Sequence, residues 1–131
     1  MRLLLDTHVA LWFVLGNEKL APPARALIAD PGNDVFVSIV SLLEIAIKNN
    51  IRKSGPDSIG ISMTEAQALF LADGLEPLDL RPTQLVAIET MPLHHRDPFD
   101  RLLVAQAQVE QLRLVTVERR LAEYGEAVLL V

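Results

Sequence analysis

The residues of this sequence best suited to do chemistry are carboxylates placed where short apolar segments give way to helical patterns. Five acidic residues share this position: Asp6, Glu44, Asp97, Asp100 and Glu118. A hydroxyl residue, Thr116, stands at the end of the last of these apolar segments. If the fold brings the ends of these segments together, the five acids form one cluster.

Helix capping explains each acid taken singly. Aspartate is a preferred N-cap residue, and a carboxylate suits the positive end of a helix dipole. Ser41 and Glu44 have the spacing of a capping box, and Asp97 precedes Pro98, a residue favoured at the first helical position. Glu44 also has the spacing to pair with Lys48 on one helix. Capping therefore stays open for every acid considered alone.

Taken as a group, the acids point to a divalent metal. Neutral Ser, Thr or Asn residues would cap as well, yet each of these junctions carries a carboxylate. Carboxylates that converge at one edge of a sheet repel one another and raise one another's pKa unless a cation lies among them. Oxygen ligands without cysteine suit Mg²⁺ or Mn²⁺, and such a metal can activate water to hydrolyse a phosphodiester.

Apolar segments that alternate with helical patterns must position these acids. Strands are predicted at 2–5, 34–38, 75–80, 114–116 and 127–131. Helices are predicted at 7–15, 22–29, 41–51, 62–74, 82–91, 98–112 and 118–124. This alternation, with fully apolar strands, favours an α/β fold with a parallel sheet covered on both faces and ligands at its carboxyl edge. We expect residues 1–131 to form a single domain.

Composition limits the other classes of function. The absence of cysteine excludes disulfides, Fe–S clusters and thiolate zinc sites. A net charge of −5 is not that of a strongly basic nucleic-acid binder, but the rest of the chain would be neutral if five carboxylates belonged to one metal site. Asp6 and His8 interrupt the N-terminal apolar run, and no run reaches the ~18 residues of a membrane span, so we expect a cytoplasmic protein. A mean hydropathy of +0.29 predicts that a partner or a second copy covers part of the surface.

Other reaction chemistries have less support in the sequence. There is no Gly-x-Ser-x-Gly nucleophile motif and no glycine-rich phosphate loop. A zinc site of His94, His95 and Asp97 is disfavoured because adjacent residues rarely point at the same ion. We expect the two histidines to shape their loop or to contact a substrate phosphate.

Four segments of the chain carry the motifs of a known family. They are Leu3-Leu-Leu-Asp-Thr-His-Val-Ala-Leu-Trp12, Ser38-Ile-Val-Ser-Leu-Leu-Glu-Ile-Ala-Ile-Lys48, His95-Arg-Asp-Pro-Phe-Asp-Arg-Leu-Leu-Val-Ala-Gln-Ala107 and Leu114-Val-Thr-Val-Glu118. In order and spacing they resemble a PIN domain and, more narrowly, the VapC toxins of bacterial VapBC toxin–antitoxin modules. The resemblance extends over essentially the whole chain. It implies a three-layer α/β/α sandwich around a parallel sheet of four or five strands.

The resemblance also implies an activity and roles for the acids. The activity is that of a Mg²⁺- or Mn²⁺-dependent endoribonuclease, the toxin of a type II toxin–antitoxin system, which hydrolyses RNA with a metal-activated water. Asp6 and Asp100 are implied as direct metal ligands, with Glu44 as the third main acid. Asp97 is implied as an auxiliary acid, and Thr116 as the hydroxyl that orients a water or an acid.

Two positions depart from the pattern of the family. Glu118 stands where an Asp or Asn is usual, so we expect its metal contact to run through water or to be absent. Leu43 stands where close relatives often carry Trp, which indicates a change in packing.

Partners are implied in the same way. The resemblance implies a homodimer and a VapB-like antitoxin whose helix covers the toxin. We expect Trp12 to contact that partner, and Leu11 and Leu15 to pack in the core.

The substrate has to bind beside an acidic site. Arg96 and Arg101, which flank the acids, and Lys48 are the preferred contacts to RNA phosphates. Further basic residues are weaker candidates: Arg52, Lys53, Arg119 and Arg120. Aromatic residues make up only 5% of the chain, which favours structured RNA such as tRNA, read by its shape, over base stacking.

Two other functions remain open from the sequence. One is a non-catalytic interaction protein with a PIN-like fold, in which the acids are caps and the apolar surface carries the function. The other is a flap-type DNA nuclease, which the short chain disfavours because it carries no extra arch or clamp elements.

Overall fold

A computed structural model of the chain describes residues 1–51 and 59–131. Its strands are β1 (Arg2–Leu5), β2 (Asp34–Ser38), β3 (Glu76–Leu78), β4 (Arg113–Thr116) and β5 (Val128–Leu130). Its helices are α1 (Thr7–Leu15), α2 (Pro22–Ala29), α3 (Ile39–Ile51), α4 (Met63–Ala72), α5 (Pro82–Thr90) and α6 (Pro98–Glu110), and a 3-10 helix spans Arg119–Tyr124. No helix in these two ranges has both the length and the apolar character needed to cross a membrane.

The strands form one parallel sheet in the order β3-β2-β1-β4-β5. Leu5 at the end of β1 lies opposite Val37 on one side and Val115 on the other. The chain runs from β1 outward to β3 and then returns to the opposite side of β1 for β4. The predicted parallel α/β sheet is therefore confirmed, with five strands.

Helices cover both faces of the sheet because successive residues of a strand point to opposite faces. Leu3 and Leu5 are fully buried in one core, where they meet α1, α2 and α4 through residues such as Phe70. Leu4 is fully buried in a second core, which contains Leu103 of α6 and the inner side of α5. These two cores make the predicted three layers.

The local signals for helix ends are confirmed at two places. Ser62 and Glu65 form a reciprocal capping box at the start of α4, with hydrogen bonds of 3.1 and 3.2 Å. Gly16 ends α1 in a left-handed conformation, with φ of 64°, which glycine adopts without steric penalty.

Other boundaries differ from the prediction. α3 begins at Ile39, two residues early, because the Ser38 hydroxyl accepts a hydrogen bond from the Val40 N–H at 3.0 Å. Ser41 is therefore inside the helix, and the capping box expected of Ser41 and Glu44 is wrong. The strand predicted at 75–80 has only three residues at the edge of the sheet, and the last predicted helix is of the 3-10 type.

Two further expectations concern single positions. Leu15 is 47% exposed at the end of α1, so the expectation that it packs in the core is wrong, whereas Leu11 is buried as expected. Arg52, Lys53 and most of the predicted surface loop at 53–60 lie outside the described residues.

A buried cluster of polar side chains, here called the glutamine cluster, ties three elements together. It consists of Ser38, Gln84, Gln106 and Glu110. The Ser38 hydroxyl donates to Gln106 Oε1 at 2.5 Å, and Gln106 Nε2 donates to Gln84 Oε1 at 3.1 Å and to the Asp79 carbonyl at 3.2 Å. Gln84 Nε2 donates to Glu110 Oε1 at 3.0 Å. The cluster therefore fixes α6 against α5 and against the junction of β2 and α3.

Candidate active site

The carboxyl edge of the sheet brings together the ends of β1 and β4, which the chain does not connect directly. The Asp6 N–H donates to the Val115 carbonyl at 3.0 Å, so Asp6 leaves β1 beside the last residues of β4. The strand order reverses between these two strands. Open α/β sheets bind their ligands at such a point.

Asp6 is held at this edge by two hydrogen bonds. Its Oδ1 accepts from the Thr7 N–H at 2.7 Å, which makes Asp6 the N-cap of α1. Its Oδ2 accepts from the Thr116 hydroxyl at 2.6 Å. Burial and the nearby charge of Glu44 nevertheless raise the pKa of Asp6 above its ordinary value. Asp6 is thus both a helix cap and a buried acid in an unfavourable electrostatic environment.

α3 carries Glu44 to the same place. The side chain is only 3% exposed, and both of its oxygens are hydrogen-bonded. The Thr7 hydroxyl donates to Oε1 at 2.7 Å, and the Lys48 ammonium donates to Oε2 at 2.5 Å. The Thr7 hydroxyl also lies 2.9 Å from the Ser41 hydroxyl. Thr7 therefore links the start of α1 to α3 and fixes Glu44 next to Asp6.

The N-terminus of α6 brings two more acids. Asp97 Oδ1 accepts from the backbone N–H groups of Phe99 and Asp100 at 2.9 and 3.3 Å, so Asp97 is the N-cap. Pro98 occupies the first helical position, where its missing N–H is not needed. Asp100 follows within the first turn and is half-buried.

The electrostatics of Asp100 show that the acids converge. Burial is the largest cause that raises its pKa, and four other carboxylates add to it through their charges: Asp6, Asp97, Glu44 and Glu118. Together these causes raise the pKa of Asp100 to about 8. The acid cluster therefore carries more negative charge than its surroundings stabilise.

Glu118 belongs to the cluster but is also used as a cap. Its Oε1 accepts from the Arg120 N–H at 3.2 Å at the start of the 3-10 helix. Its own N–H donates to the Thr116 hydroxyl at 3.0 Å. Thr116 thus bridges Glu118 and Asp6. With it, the structure brings together all six residues that the sequence marked as catalytic candidates: Asp6, Glu44, Asp97, Asp100, Thr116 and Glu118.

The two adjacent histidines point in different directions. His94 Nδ1 lies 3.1 Å from Glu123 Oε2, and its ring packs edge-on against Tyr124. His95 Nε2 lies 2.8 Å from Asp100 Oδ2. His94 therefore shapes the loop against the 3-10 helix, and the disfavoured zinc set that includes both histidines does not form.

The donor atoms of the cluster fit a divalent cation. One potential ligand atom each from His95, Asp97 and Asp100 lies within 4.8 Å of the other two. Among the described residues, Asp97 Oδ2 and Asp100 Oδ1 accept no hydrogen bond, so two carboxylate oxygens are available. Asp6 and Glu44 lie outside this compact triad. Carboxylate oxygens are the ligands that Mg²⁺ and Mn²⁺ prefer.

The predicted RNA contacts have different surroundings. Partial burial would lower the pKa of Lys48, but the hydrogen bond to Glu44 and the charges of neighbouring acids raise it, so Lys48 is a cation at the edge of the site. Arg96 is exposed beside the acids. Arg101 is half-buried and donates to the Met91 carbonyl at 3.3 Å, so part of its guanidinium is engaged by the backbone.

Trp12, the predicted partner contact, is outside the acid cluster. It is half-buried on α1, where its ring packs against the core and lies 6.0 Å from the ring of His8. Its exposed part is therefore available on the surface of α1.

Three contributors to the site were not assigned these roles from the sequence. Thr7 and Ser41 link α1 to α3, and His95 contacts Asp100 rather than a phosphate. Thr7 directly follows Asp6, so its position beside an acid was the available signal. The contacts of Ser41 and His95 depend on how helices pack, which local spacing does not reveal.

Comparisons with known proteins agree with this architecture. A chain of the crystal structure of VapBC2 from Rickettsia felis, bound to a DNA fragment from their promoter, is similar with a TM-score of 0.69 and 18% identity, over 100% of this chain and 98% of that one. A chain of a toxin–antitoxin complex from Klebsiella pneumoniae is similar with a TM-score of 0.64 and 15% identity, over 97% of this chain and 95% of that one. No curated protein matches significantly by sequence. The sequence matches the PIN domain model over residues 3–127, and the chain therefore belongs to the PIN domain family.

Proposed function

We propose that residues 1–131 form one cytoplasmic PIN domain that acts as a Mg²⁺- or Mn²⁺-dependent endoribonuclease, the VapC-type toxin of a type II toxin–antitoxin module. The observation that carries the proposal is the gathering of five carboxylates at the carboxyl edge of the sheet, where burial and the charges of the other four raise the pKa of Asp100 to about 8. Membership of the PIN family and the fold shared with chains of two toxin–antitoxin complexes support it.

The acids have separate roles in this proposal. Asp6 and Asp100 hold the metal, and Glu44 and Asp97 complete the negative pocket around it. A divalent cation bound there would supply an activated water for attack on the phosphodiester and would neutralise charge on the departing oxygen. Thr116 keeps Asp6 in place through its 2.6 Å hydrogen bond.

Glu118 has a supporting role in the same pocket. Its Oε1 is engaged by the Arg120 N–H at 3.2 Å, so we assign it a charge contribution and contact through water rather than direct ligation.

Basic residues around the pocket bind the RNA backbone in this proposal. Lys48 and Arg96 offer charges beside the acids, and Arg101 contributes if its guanidinium leaves the Met91 carbonyl on binding. With few aromatic side chains for base stacking, the substrate is structured RNA such as tRNA.

Apolar side chains on the surface support two partners, a VapB-like antitoxin and a second copy of the chain. Ile39, Leu43 and Ile47 on α3 are 48%, 49% and 39% exposed. An apolar concavity of about 340 Å³ lies beside them and is lined by Ile39, Leu42, Leu43, Ala46, Met63 and Gln67. Exposed apolar patches on soluble domains mark interaction sites, and we assign Trp12 to the antitoxin contact.

Sedimentation velocity of the isolated chain tests the assignment of a homodimer. We expect a dimer in which Leu43→Glu favours the monomer, because a charge on this surface opposes burial. A wild-type chain that sediments as a monomer at all concentrations would contradict the dimer and leave the nuclease proposal standing.

A second function, a non-catalytic interaction protein, has one observation in its favour. Asp6, Asp97 and Glu118 all cap helices, so capping accounts for part of their presence. It does not account for Glu44, which is buried inside α3, or for the charge that these acids impose on Asp100. A rise in melting temperature with Mg²⁺ or Mn²⁺ favours the nuclease, because only a metal-binding native state gains stability from the ion.

RNA cleavage by the purified chain, freed of any antitoxin, tests the main proposal. We expect cleavage with Mg²⁺ or Mn²⁺, none with EDTA, and none for Asp6→Asn, which keeps the size of the side chain but loses its charge. Asp73→Asn, at an exposed acid that ends α4, is the matched control and should cleave normally. Cleavage by Asp6→Asn at the wild-type rate would contradict the proposal.

A further inference from the structure

His95 is placed so that the one hydrogen bond of its ring goes to an acid of the site. The side chain is 13% exposed, and Nε2 lies 2.8 Å from Asp100 Oδ2. Its Nδ1 is buried and has no hydrogen-bond partner in the part of the chain that the structure describes. The neighbouring His94 is directed instead toward Glu123 and Tyr124. The position of His95 therefore serves Asp100.

Each of the other central acids already has groups that fix its orientation. Asp6 accepts from the Thr7 N–H and the Thr116 hydroxyl, and Glu44 accepts from Thr7 and Lys48. Asp97 is fixed by two backbone N–H groups of its own helix.

Asp100 differs from these acids. Among the described residues, the only group within hydrogen-bond distance of its carboxylate is His95 Nε2. A carboxylate rotates with little preference about its last side-chain bond, so without a partner Asp100 would not present a defined oxygen. The bond to Oδ2 leaves Oδ1 without a hydrogen bond from any described residue.

We propose that His95 is a positioning residue, which holds Asp100 Oδ2 so that Oδ1 is presented to the divalent cation. The proposal rests on the proposed metal-dependent function and adds the residue that orders one of its ligands. Groups that hydrogen-bond to metal-ligating carboxylates orient them, and removal of such a group lowers metal affinity by roughly tenfold to a hundredfold. His95 has a potential ligand atom near Asp97 and Asp100, but in this proposal its Nε2 holds Asp100, so His95 acts on the metal through that carboxylate.

Calorimetric titration of the metal-free chain with Mg²⁺ and with Mn²⁺ tests this role. The variants are His95→Ala, which removes the hydrogen bond, His95→Gln, whose amide places a donor near the former Nε2, and His94→Ala as the matched control. We expect His95→Ala to bind both ions about tenfold more weakly, His95→Gln to recover most of the affinity, and His94→Ala to bind as the wild type does. The melting temperature of each metal-free variant shows whether it is folded.

Cleavage assays add a readout that a general loss of structure would not reproduce. Because the proposed loss is one of metal affinity, RNA cleavage by His95→Ala should return to near the wild-type rate at saturating Mg²⁺. If His95→Ala does not fold, His95→Leu, which fills more of the same space but also lacks the donor, takes its place with the same expected loss of about tenfold.

Several outcomes would overturn the inference. Unchanged affinity of a folded His95→Ala for both ions would show that Asp100 needs no positioning. A loss confined to Mn²⁺, which accepts nitrogen ligands more readily than Mg²⁺, would make His95 a ligand instead. Wild-type binding of metal without cleavage of any RNA would overturn the proposed function alone, and absence of metal binding by the wild type would overturn both.

Discussion

Helix α6 carries two partly buried polar clusters that differ in how well their hydrogen-bonding groups and charges are paired. At its N-terminus lie Asp97 and Asp100, surrounded by other acids. Further along the helix, Gln106 and Glu110 belong to the glutamine cluster. In the glutamine cluster, donors and acceptors are matched: Gln106 accepts from one side chain and donates to two oxygens.

The acid cluster has no such balance. Its ionised carboxylates can only accept hydrogen bonds. Burial and the repulsion from the neighbouring acids together raise the pKa of Asp100 to about 8. A buried network in which every polar group is hydrogen-bonded makes a fold rigid. A group of acids with a raised pKa is instead typical of a site that binds a ligand. Burial of polar groups alone therefore does not mark a functional site, whereas several carboxylates of like charge held close together do.

The acid cluster can be broken without loss of the helix cap. Asp97→Ser keeps an N-cap for α6 but removes the carboxylate. We expect cleavage to fall by up to about a hundredfold while stability stays within about 0.5 kcal/mol, because a charge near the metal is lost and the cap is kept. Cleavage rates and urea unfolding of the same preparation measure the two effects. Full activity in Asp97→Ser would assign this acid to capping alone.

The glutamine cluster should respond in the opposite way. Gln106→Leu leaves Ser38 and Gln84 with unpaired buried groups, so we expect a loss of about 2 kcal/mol in the free energy of unfolding. Metal affinity of the folded fraction should not change. Urea unfolding measures the stability, and calorimetric titration measures the metal affinity. A Gln106→Leu variant that is stable but binds metal poorly would contradict the assignment of stability to the glutamine cluster and of metal binding to the acid cluster.

The stability of the metal-free protein should depend on pH through the acid cluster. The folded-state pKa of Asp100, about 8, lies above its ordinary value. Between roughly pH 4 and pH 8 the native state therefore keeps a proton on Asp100 that the unfolded chain has already released. Stability should therefore fall as pH rises through this window and be lowest above pH 8. Asp100→Asn should remove this part of the dependence and stabilise the metal-free protein at pH 8 by about 1 kcal/mol, after allowance for solvent screening.

Thermal unfolding in EDTA at pH 5 and pH 8 measures this effect. The expected gain for Asp100→Asn at pH 8 is about 3 °C, with little change at pH 5. An equal change at both pH values would indicate a packing effect instead.

The smallest effect is expected at the edge of the acid cluster. Lys48→Met removes the cation that faces Glu44 and is proposed to contact RNA. We expect RNA affinity to fall severalfold and the slope of log affinity against log salt to decrease by about 1. Lys19→Met, at an exposed lysine beyond α1, is the control. An unchanged salt dependence would remove Lys48 from the RNA contacts.

The sequence predicted the fold and the gathering of the acids for one physical reason. Parallel strands end at the same edge of a sheet, so acids that follow buried strands meet there whatever the details of packing. The place of Asp6 and of Glu118 in the cluster could be predicted from their position directly after an apolar segment. Asp97 was predicted as an N-cap because Pro98 follows it, and the structure confirms that cap.

The features that the sequence did not reveal depend on contacts between elements. Ser38, not Ser41, caps α3, because the helix starts directly at the end of β2. The single polar residue Gln106 within an apolar helical segment was the only local sign of the glutamine cluster. The hydrogen bond between His95 and Asp100 depends on the conformation of the loop before α6. No local sequence pattern predicts that conformation.

Calorimetric titration with Mn²⁺ tests most directly whether the acids form a metal site. The informative pair is Asp100→Asn, inside the acid cluster, and Glu65→Gln, at an acid that only caps α4. We expect saturable binding by the wild type and by Glu65→Gln, and loss of that binding in Asp100→Asn. Binding by Asp100→Asn as tight as that of the wild type, or no binding by any of the three proteins, would contradict this expectation.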